Sequence, residues 1–145
     1  MEALIAGIQN ATAAGPLLAI AAGVFVGIFM GAVPGLTAAM AIALLAPLTF
    51  GLDPLTAVAF LIGIYKGGTF GGSISAILLN VPGSPEAAAT AFDGYPLSRS
   101  GKARQALQMA LFASVAGAIL ADLLLYLVAL PFSKIALKFG PAELT

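Results

Sequence analysis

The sequence has no cysteine, no histidine and no tryptophan. Without Cys and His there can be no disulfide, no thiolate or imidazole metal site, and no Ser-His or Cys-His nucleophile. Charge is scarce too: six Lys or Arg and six Asp or Glu make up 8% of 145 residues and cancel to zero. A nucleic-acid binder needs a basic face, which this chain cannot supply. An enzyme at a lipid interface needs an acid–base pair or a metal, and the carboxylates are too sparse. Soluble domains carry about 25% charged residues. At 61% hydrophobic and a mean hydropathy of +1.08, a soluble globule would expose large apolar patches. Disorder requires low hydrophobicity and is excluded as well. The remaining class is an all-α integral membrane protein, multi-pass in a lipid bilayer.

Charged residues are absent from Ala3 to Leu52, a run of 50, whereas one span needs about 20 residues. Gly and Pro show where to divide it. The apolar segments read as 16–33, 36–50, 55–65, 73–81 and 106–130. A polar loop covers 82–105, with Phe92-Asp93-Gly94-Tyr95-Pro96 as a turn and a second helix start after Gly101. Ser84 reads as an N-cap with Pro85 at N1. Pro131 is expected to end the last span, leaving an amphipathic interfacial tail over 132–145 built on Lys134, Ile135, Lys138 and Phe139.

The first basic residue is Lys66, so the start lacks the basic region of a cleavable signal. Leu4, Ile5 and Ile8 share one face of a short lead-in helix suited to the interface. The ending, Gly140 to Thr145, reads as a truncation. Arg99, Lys102 and Arg104 outnumber the two basic residues after Pro131, which places the polar loop in the cytoplasm.

Four patterns carry chemistry. The first is a ladder of glycines four apart, Gly23, Gly27, Gly31 and Gly35, repeated at Gly63, Gly67 and Gly71. Spacing of four bares one helix face for another backbone, and packing is the expectation for Gly23 and Gly27. Segments 55–65 and 73–81 are each too short to span. The run Gly67-Gly68-Thr69-Phe70-Gly71-Gly72 between them is expected to be unwound, as a broken helix or the tip of a re-entrant hairpin. Such backbone survives in a membrane only when buried in protein or lining a cavity.

The second pattern is Val-Pro-Gly, at 33–35 and again at 81–83. A Pro-Gly break ahead of a helix start aims free N–H groups and the positive end of a helix at the break, an arrangement that suits an anion. Two ordinary helix-ending turns would read the same way. The third pattern is oxygen: Thr37, Thr69, Ser73, Ser75 and Asn80 lie at or beside the breaks. With freed carbonyls they could coordinate Na⁺; they could equally repair the broken backbone. The fourth is charge within the apolar segments. Asp122 lies inside the last one, and Lys66 stands beside the glycine run. An intramembrane acid is a functional candidate or half of a structural pair, and a Lys can meet a carboxylate or snorkel to the interface.

Three blocks carry a family resemblance: Gly31 to Thr37; Gly67 through Ser73 to Pro85; and Ala88 to Leu97 with Gly101-Lys102. In order and spacing they resemble the TctA family, the large membrane subunit of tripartite tricarboxylate transporters, over its N-terminal part. The resemblance implies a secondary transporter of the bacterial inner membrane that takes up citrate and other carboxylates, coupled to Na⁺ or H⁺ and using no other cofactor. It implies two partners, a small four-helix membrane subunit and a periplasmic solute-binding protein. It implies a helical bundle with broken or re-entrant helices, of which this chain is one half of an inverted repeat. Carried over by motif, Gly31, Pro34, Gly35, Thr37, Asn80, Pro82, Gly83 and Ser84 would bind substrate. Gly68, Thr69, Gly71, Gly72, Ser73 and Ser75 would bind the ion. The alternatives from composition alone are a channel with the 67–72 glycines as a carbonyl filter, and a purely structural membrane subunit.

Overall fold

Helix boundaries follow the capping chemistry. In the computed structural model, which describes residues 2–136, six α-helices occur in the order α1 (Glu2–Ala11), α2 (Ala14–Ala32), α3 (Ala38–Leu45), α4 (Pro54–Leu79), α5 (Ala88–Leu97) and α6 (Ala103–Ala136). Tighter 3₁₀ turns follow α3 (Ala46–Gly51) and precede α5 (Pro85–Ala87). Thr37 caps α3 by accepting from the Met40 N–H at 3.2 Å. Asp53 caps α4 by accepting from the Thr56 N–H at 3.0 Å, with Pro54 in the first turn, where its missing donor costs nothing. Asn80 ends α4 in the left-handed conformation, φ 57°, its N–H donating to the Ala76 carbonyl at 3.1 Å.

Contacts divide the chain into two units, Met1–Ala110 and Leu111–Thr145. In the first, the dominant pairing is α2 with α4. A Cβ on Gly23 would collide with the Phe60 carbonyl, one on Gly27 with that of Ile64, and one on Gly31 with that of Gly68. Reciprocally, Gly63 meets the Ile20 carbonyl, Gly67 that of Val24 and Gly71 that of Ile28. The numbers rise together, so the two helices run parallel, backbone against backbone. A parallel pair needs a return leg, and α3 with its 3₁₀ turn is that leg. Ala38, at its start, lies level with Gly68: its Cβ would be 2.8 Å from one on Gly68. Asp53, at its end, caps α4. From 68 back to 54 is about 21 Å of helix rise, and eight α-helical plus six 3₁₀ residues supply about 24 Å.

The buried core is small in side chains and rich in backbone: Ala41, Ile64, Ala76 and Ile77 are fully enclosed. The large residues of α2 point outward, Leu18, Phe25 and Phe29 being 69–75% exposed. Lipid tails are as apolar as Leu, so close backbone packing rather than a greasy core holds such helices together. Three helical stretches are long and apolar enough to cross a membrane, Ala14–Ala32, Pro54–Leu79 and Pro85–Ala129. In the second unit α6 continues through Leu120, Leu125 and Leu127, all at least 60% exposed.

The structure corrects several expectations. Residues 67–72 are not unwound: α4 is one continuous helix of 26 residues, and segments 55–65 and 73–81 belong to it together. The glycines are there for contact on two faces, Gly67 and Gly71 against α2, Gly68 against Ala38 and Gly72 against Ser84. Residues 92–96 are not a turn but lie inside α5, because Gly94 is needed where α5 meets Ile77 of α4. The left-handed residue of this region is Gly101, φ 83°, at the kink before α6. Much of the polar loop is therefore helical. Pro131 does not end α6, which runs on to Ala136; Pro is tolerated within membrane helices when the freed backbone groups find other partners. The remainder of the amphipathic tail, 137–145, lies outside the described residues.

Candidate functional site

The two Val-Pro-Gly corners end parallel helices and so lie at the same end of the α2–α4 pair. Identical in sequence, they are built differently. At the first, the chain leaves α2 in an extended Val33 and turns through Gly35, φ 92°, before Thr37 opens α3. Val33, Pro34 and Gly35 are exposed, and no atom lies within 4 Å of where a Gly35 Cβ would be. At the second, the left-handed residue is Asn80, and Gly83 serves close approach instead. From Asn80 the chain doubles back along the last two turns of α4. The Gly83 N–H donates to the Gly72 carbonyl at 3.3 Å, and the Val81 N–H reaches the Ser75 carbonyl at 3.5 Å.

Gly83 therefore occupies the crevice where α2 ends against α4. A Cβ there would lie 2.8 Å from the Gly72 Cα and 3.1 Å from the Ser75 Oγ, and would strike the Gly31 carbonyl. Of the substrate candidates, Gly31, Gly83 and Ser84 come together here, joined by Gly72 and Ser75 from the ion set. Pro34, Gly35 and Thr37 stand at the end of α2 and the start of α3, and Asn80 and Pro82 face the other side of the second corner.

The hydroxyls divide by partner. The Thr69 Oγ1 donates to the Tyr65 carbonyl at 2.9 Å, and the Ser75 Oγ to the Gly72 carbonyl at 3.1 Å. Both are spent on α4 itself, and an intact helix also engages the carbonyls from Gly68 to Gly72. Ser73 is buried in α4. Ser84 sits at the N-cap position of the turn that leads into α5, yet its hydroxyl makes no capping bond. This corrects the expectation of a side-chain cap. The Ser84 Oγ is buried and, among the described residues, has no hydrogen-bond partner. Lys66 is half-buried and Asp122 exposed, and each has an interaction partner. At the opposite end of α4, the Thr56 N–H and then its hydroxyl hold the Asp53 carboxyl below its ordinary value.

On the outer side of the second corner is a cavity of about 450 Å³, lined by Asn80, Pro82, Ala88, Ala91, Phe92, Tyr95 and Pro96. None of its lining residues is charged; the Asn80 carboxamide and Tyr95 hydroxyl are its polar side-chain groups. Sequence reasoning missed the α5 half of this wall because residues 92–96 read as a turn. The spacing 88, 91, 92, 95 was the signal of a helix face.

The chain is similar to known proteins along nearly all its length. It matches the Tripartite tricarboxylate transporter TctA family over residues 17–145. It is 44% identical over 121 residues to an uncharacterized 52.8 kDa protein in the TAR-I ttuC' 3' region of Agrobacterium vitis. That alignment covers 83% of this chain and 24% of the relative, so the chain spans about a quarter of that protein's length. No solved structure matches. The family is one of transporter components rather than enzymes, and its tripartite character implies further subunits. With apolar helices long enough to span and a match over most of its residues, the chain belongs to the TctA family of tripartite tricarboxylate transporters.

Proposed function

We propose that this chain is the N-terminal part of a permease subunit for ion-coupled, secondary uptake of citrate-like tricarboxylates and dicarboxylates across a bacterial inner membrane. Its partners are a small four-helix membrane subunit and a periplasmic solute-binding protein, and Na⁺ or H⁺ is the coupling ion. The chain supplies one half of an inverted repeat. The observation that carries this reading is the meeting of the second Val-Pro-Gly corner with the end of α2, where Gly83 lies against Gly31 and Gly72. Three glycine backbones come together there, and the turn leading into α5 starts two residues after Gly83. N–H groups at such a helix start favour a carboxylate. The residues in question are Gly31, Pro34, Gly35, Thr37, Asn80, Pro82, Gly83 and Ser84 for the solute, with Gly68, Thr69, Gly71, Gly72, Ser73 and Ser75 beside them for the ion.

A channel filtered by the 67–72 carbonyls loses its basis, since those residues are helical. The test is uptake of labelled citrate by the complete transporter in proteoliposomes, with Na⁺ and proton gradients imposed separately. Saturable uptake that collapses with one gradient, and is lost on bulky substitution of Gly35, Gly72 or Gly83, is the expected result. Uptake indifferent to all three substitutions assigns the site elsewhere, and non-saturating flux without ion dependence overturns the transporter reading.

A further inference from the structure

We propose that the outer face of α5, from Ala88 to Arg99, together with the cations around the Gly101 kink, is a binding groove for one anionic phospholipid. The proposal goes beyond the transport reading and does not depend on which solute is carried. Arg99, Lys102 and Arg104 are half of the chain's six basic residues, gathered within six positions. All three are exposed, and no acidic residue lies between Asp93 and Asp122 to balance them along the chain. The 17 residues 105–121 that follow are uncharged. The cluster therefore stands where the last apolar run begins, at the boundary between membrane and water. Basic residues in that position attract anionic lipid.

Helix geometry joins these cations to the cavity of about 450 Å³. On α5 that cavity is walled by Ala88, Ala91, Phe92 and Tyr95, the i, i+3, i+4, i+7 stripe of one helix face. Ser98 keeps helical dihedrals, φ −61° and ψ −45°, so the stripe continues to Arg99, four residues after Tyr95. Arg99 thus stands at the charged end of the wall, about 10 Å of helix rise from Phe92. Lys102 and Arg104 follow within five residues, across the Gly101 kink. Phe92 is 80% exposed, apolar area that an acyl chain would cover. Asp93, the nearest acid in sequence, is not among the lining residues.

An apolar groove that ends in cations matches a molecule with an apolar tail and an anionic head. A tricarboxylate carries charge at three points. Inside the groove it would meet only the Asn80 carboxamide and the Tyr95 hydroxyl as polar side-chain groups, which leaves buried charge unpaired. The interfacial layer of a bilayer is about 5–7 Å deep on each side. A phosphate beside Arg99 therefore puts the upper acyl carbons beside Phe92.

The test is native mass spectrometry of the complete transporter in maltoside detergent, titrated with dioctanoyl phosphatidylglycerol. Saturable retention of this lipid is expected, with dioctanoyl phosphatidylcholine and glycerol 3-phosphate each retained much more weakly. Arg99→Gln should weaken retention by about fivefold, and the triple change with Lys102→Gln and Arg104→Gln by about a hundredfold, at roughly fivefold per cation near a membrane surface. Ala91→Trp, which fills the groove without changing charge, should abolish it. The Gln substitutions spare every residue assigned to solute or ion, so this proposal and that assignment fail separately. Equal retention of phosphatidylcholine would show an apolar groove without headgroup recognition. Glycerol 3-phosphate retained as well as the lipid would show a small-anion site, and displacement of the lipid by citrate would show the solute's own site. Each of these results overturns the proposal, as does lipid retention unchanged in the triple variant or in Ala91→Trp.

Discussion

Ile77 of α4 fills the space that Gly94 of α5 leaves by having no side chain: a Cβ on Gly94 would lie 2.7 Å from the Ile77 Cγ1. Ile77 is fully buried, so its side chain has nowhere to retreat. Gly94→Ala should therefore destabilise the first unit despite Ala being the better helix former, by about 1–3 kcal/mol as in other overpacked cores. Ile77→Ala should recover part of that loss when combined with it. A double-mutant cycle on thermal unfolding followed by circular dichroism measures the coupling; additive effects would mean that the two residues do not press on each other.

The α2–α4 seam should be less forgiving. A Cβ on Gly27 meets the carbonyl of Ile64, which is backbone, so only separation of the helices relieves the clash. Gly27→Ala should cost about 3 kcal/mol or more, above the ordinary overpacking range. Gly117→Ala, with open space around it, should be neutral or stabilising by about 0.5–1 kcal/mol. The order Gly117, Gly94, Gly27 in falling midpoint temperature is the expected outcome, and a reversal of the last two would contradict the backbone contact.

Acid should weaken the start of α4. Hydrogen bonds from Thr56 hold the Asp53 carboxyl below its ordinary value near 3.8. A depressed carboxyl contributes stability above its unfolded pKa and loses it as pH falls through the lower, folded pKa. The difference in midpoint temperature between the parent and Asp53→Ala should be constant from pH 7 to about 4, then shrink toward zero under more acid conditions. A difference that persists at pH 2 would show that the carboxylate is not the capping species.

Asn80 separates folding from solute binding. Its left-handed backbone costs most residues about 1–2 kcal/mol, so Asn80→Ala should lower stability while Asn80→Gly keeps it. If the carboxamide lining the cavity holds solute, both variants should lose carboxylate binding by titration calorimetry on the complete transporter. Binding retained in Asn80→Gly would reduce Asn80 to a helix terminator.

Legibility in the sequence differed by scale. The membrane class came from charge alone, since 8% of residues cannot cover a soluble surface. The packing of Gly23 and Gly27 was readable because one spacing of four defines one face. The 67–72 run was misread because two such ladders overlap, 67 with 71 and 68 with 72. Interleaved, they look like a stretch without side chains, which suggests unwinding. Only their separate partners, α2 on one side and Ala38 and Ser84 on the other, show why a helix holds four glycines there. Residues 92–96 failed for a related reason: Gly and Pro next to Asp are turn chemistry locally, and Ile77, the residue that makes Gly94 useful, is 17 positions away. Of the candidate site, Gly31, Gly83 and Ser84 do converge, but the way the second corner folds back on α4 depends on which residue turns left-handed, and two identical tripeptides gave no hint that they turn differently.

The parallel course of α2 and α4 has a consequence for sidedness. Two spans that point the same way deliver their ends to the same compartment, so both Val-Pro-Gly corners answer to one aqueous phase. An impermeant thiol reagent should therefore reach cysteines at positions 34 and 82 from the same side of the membrane. Inverting the vesicles should switch both together, making the pair an internal compass for the orientation of the protein in the membrane.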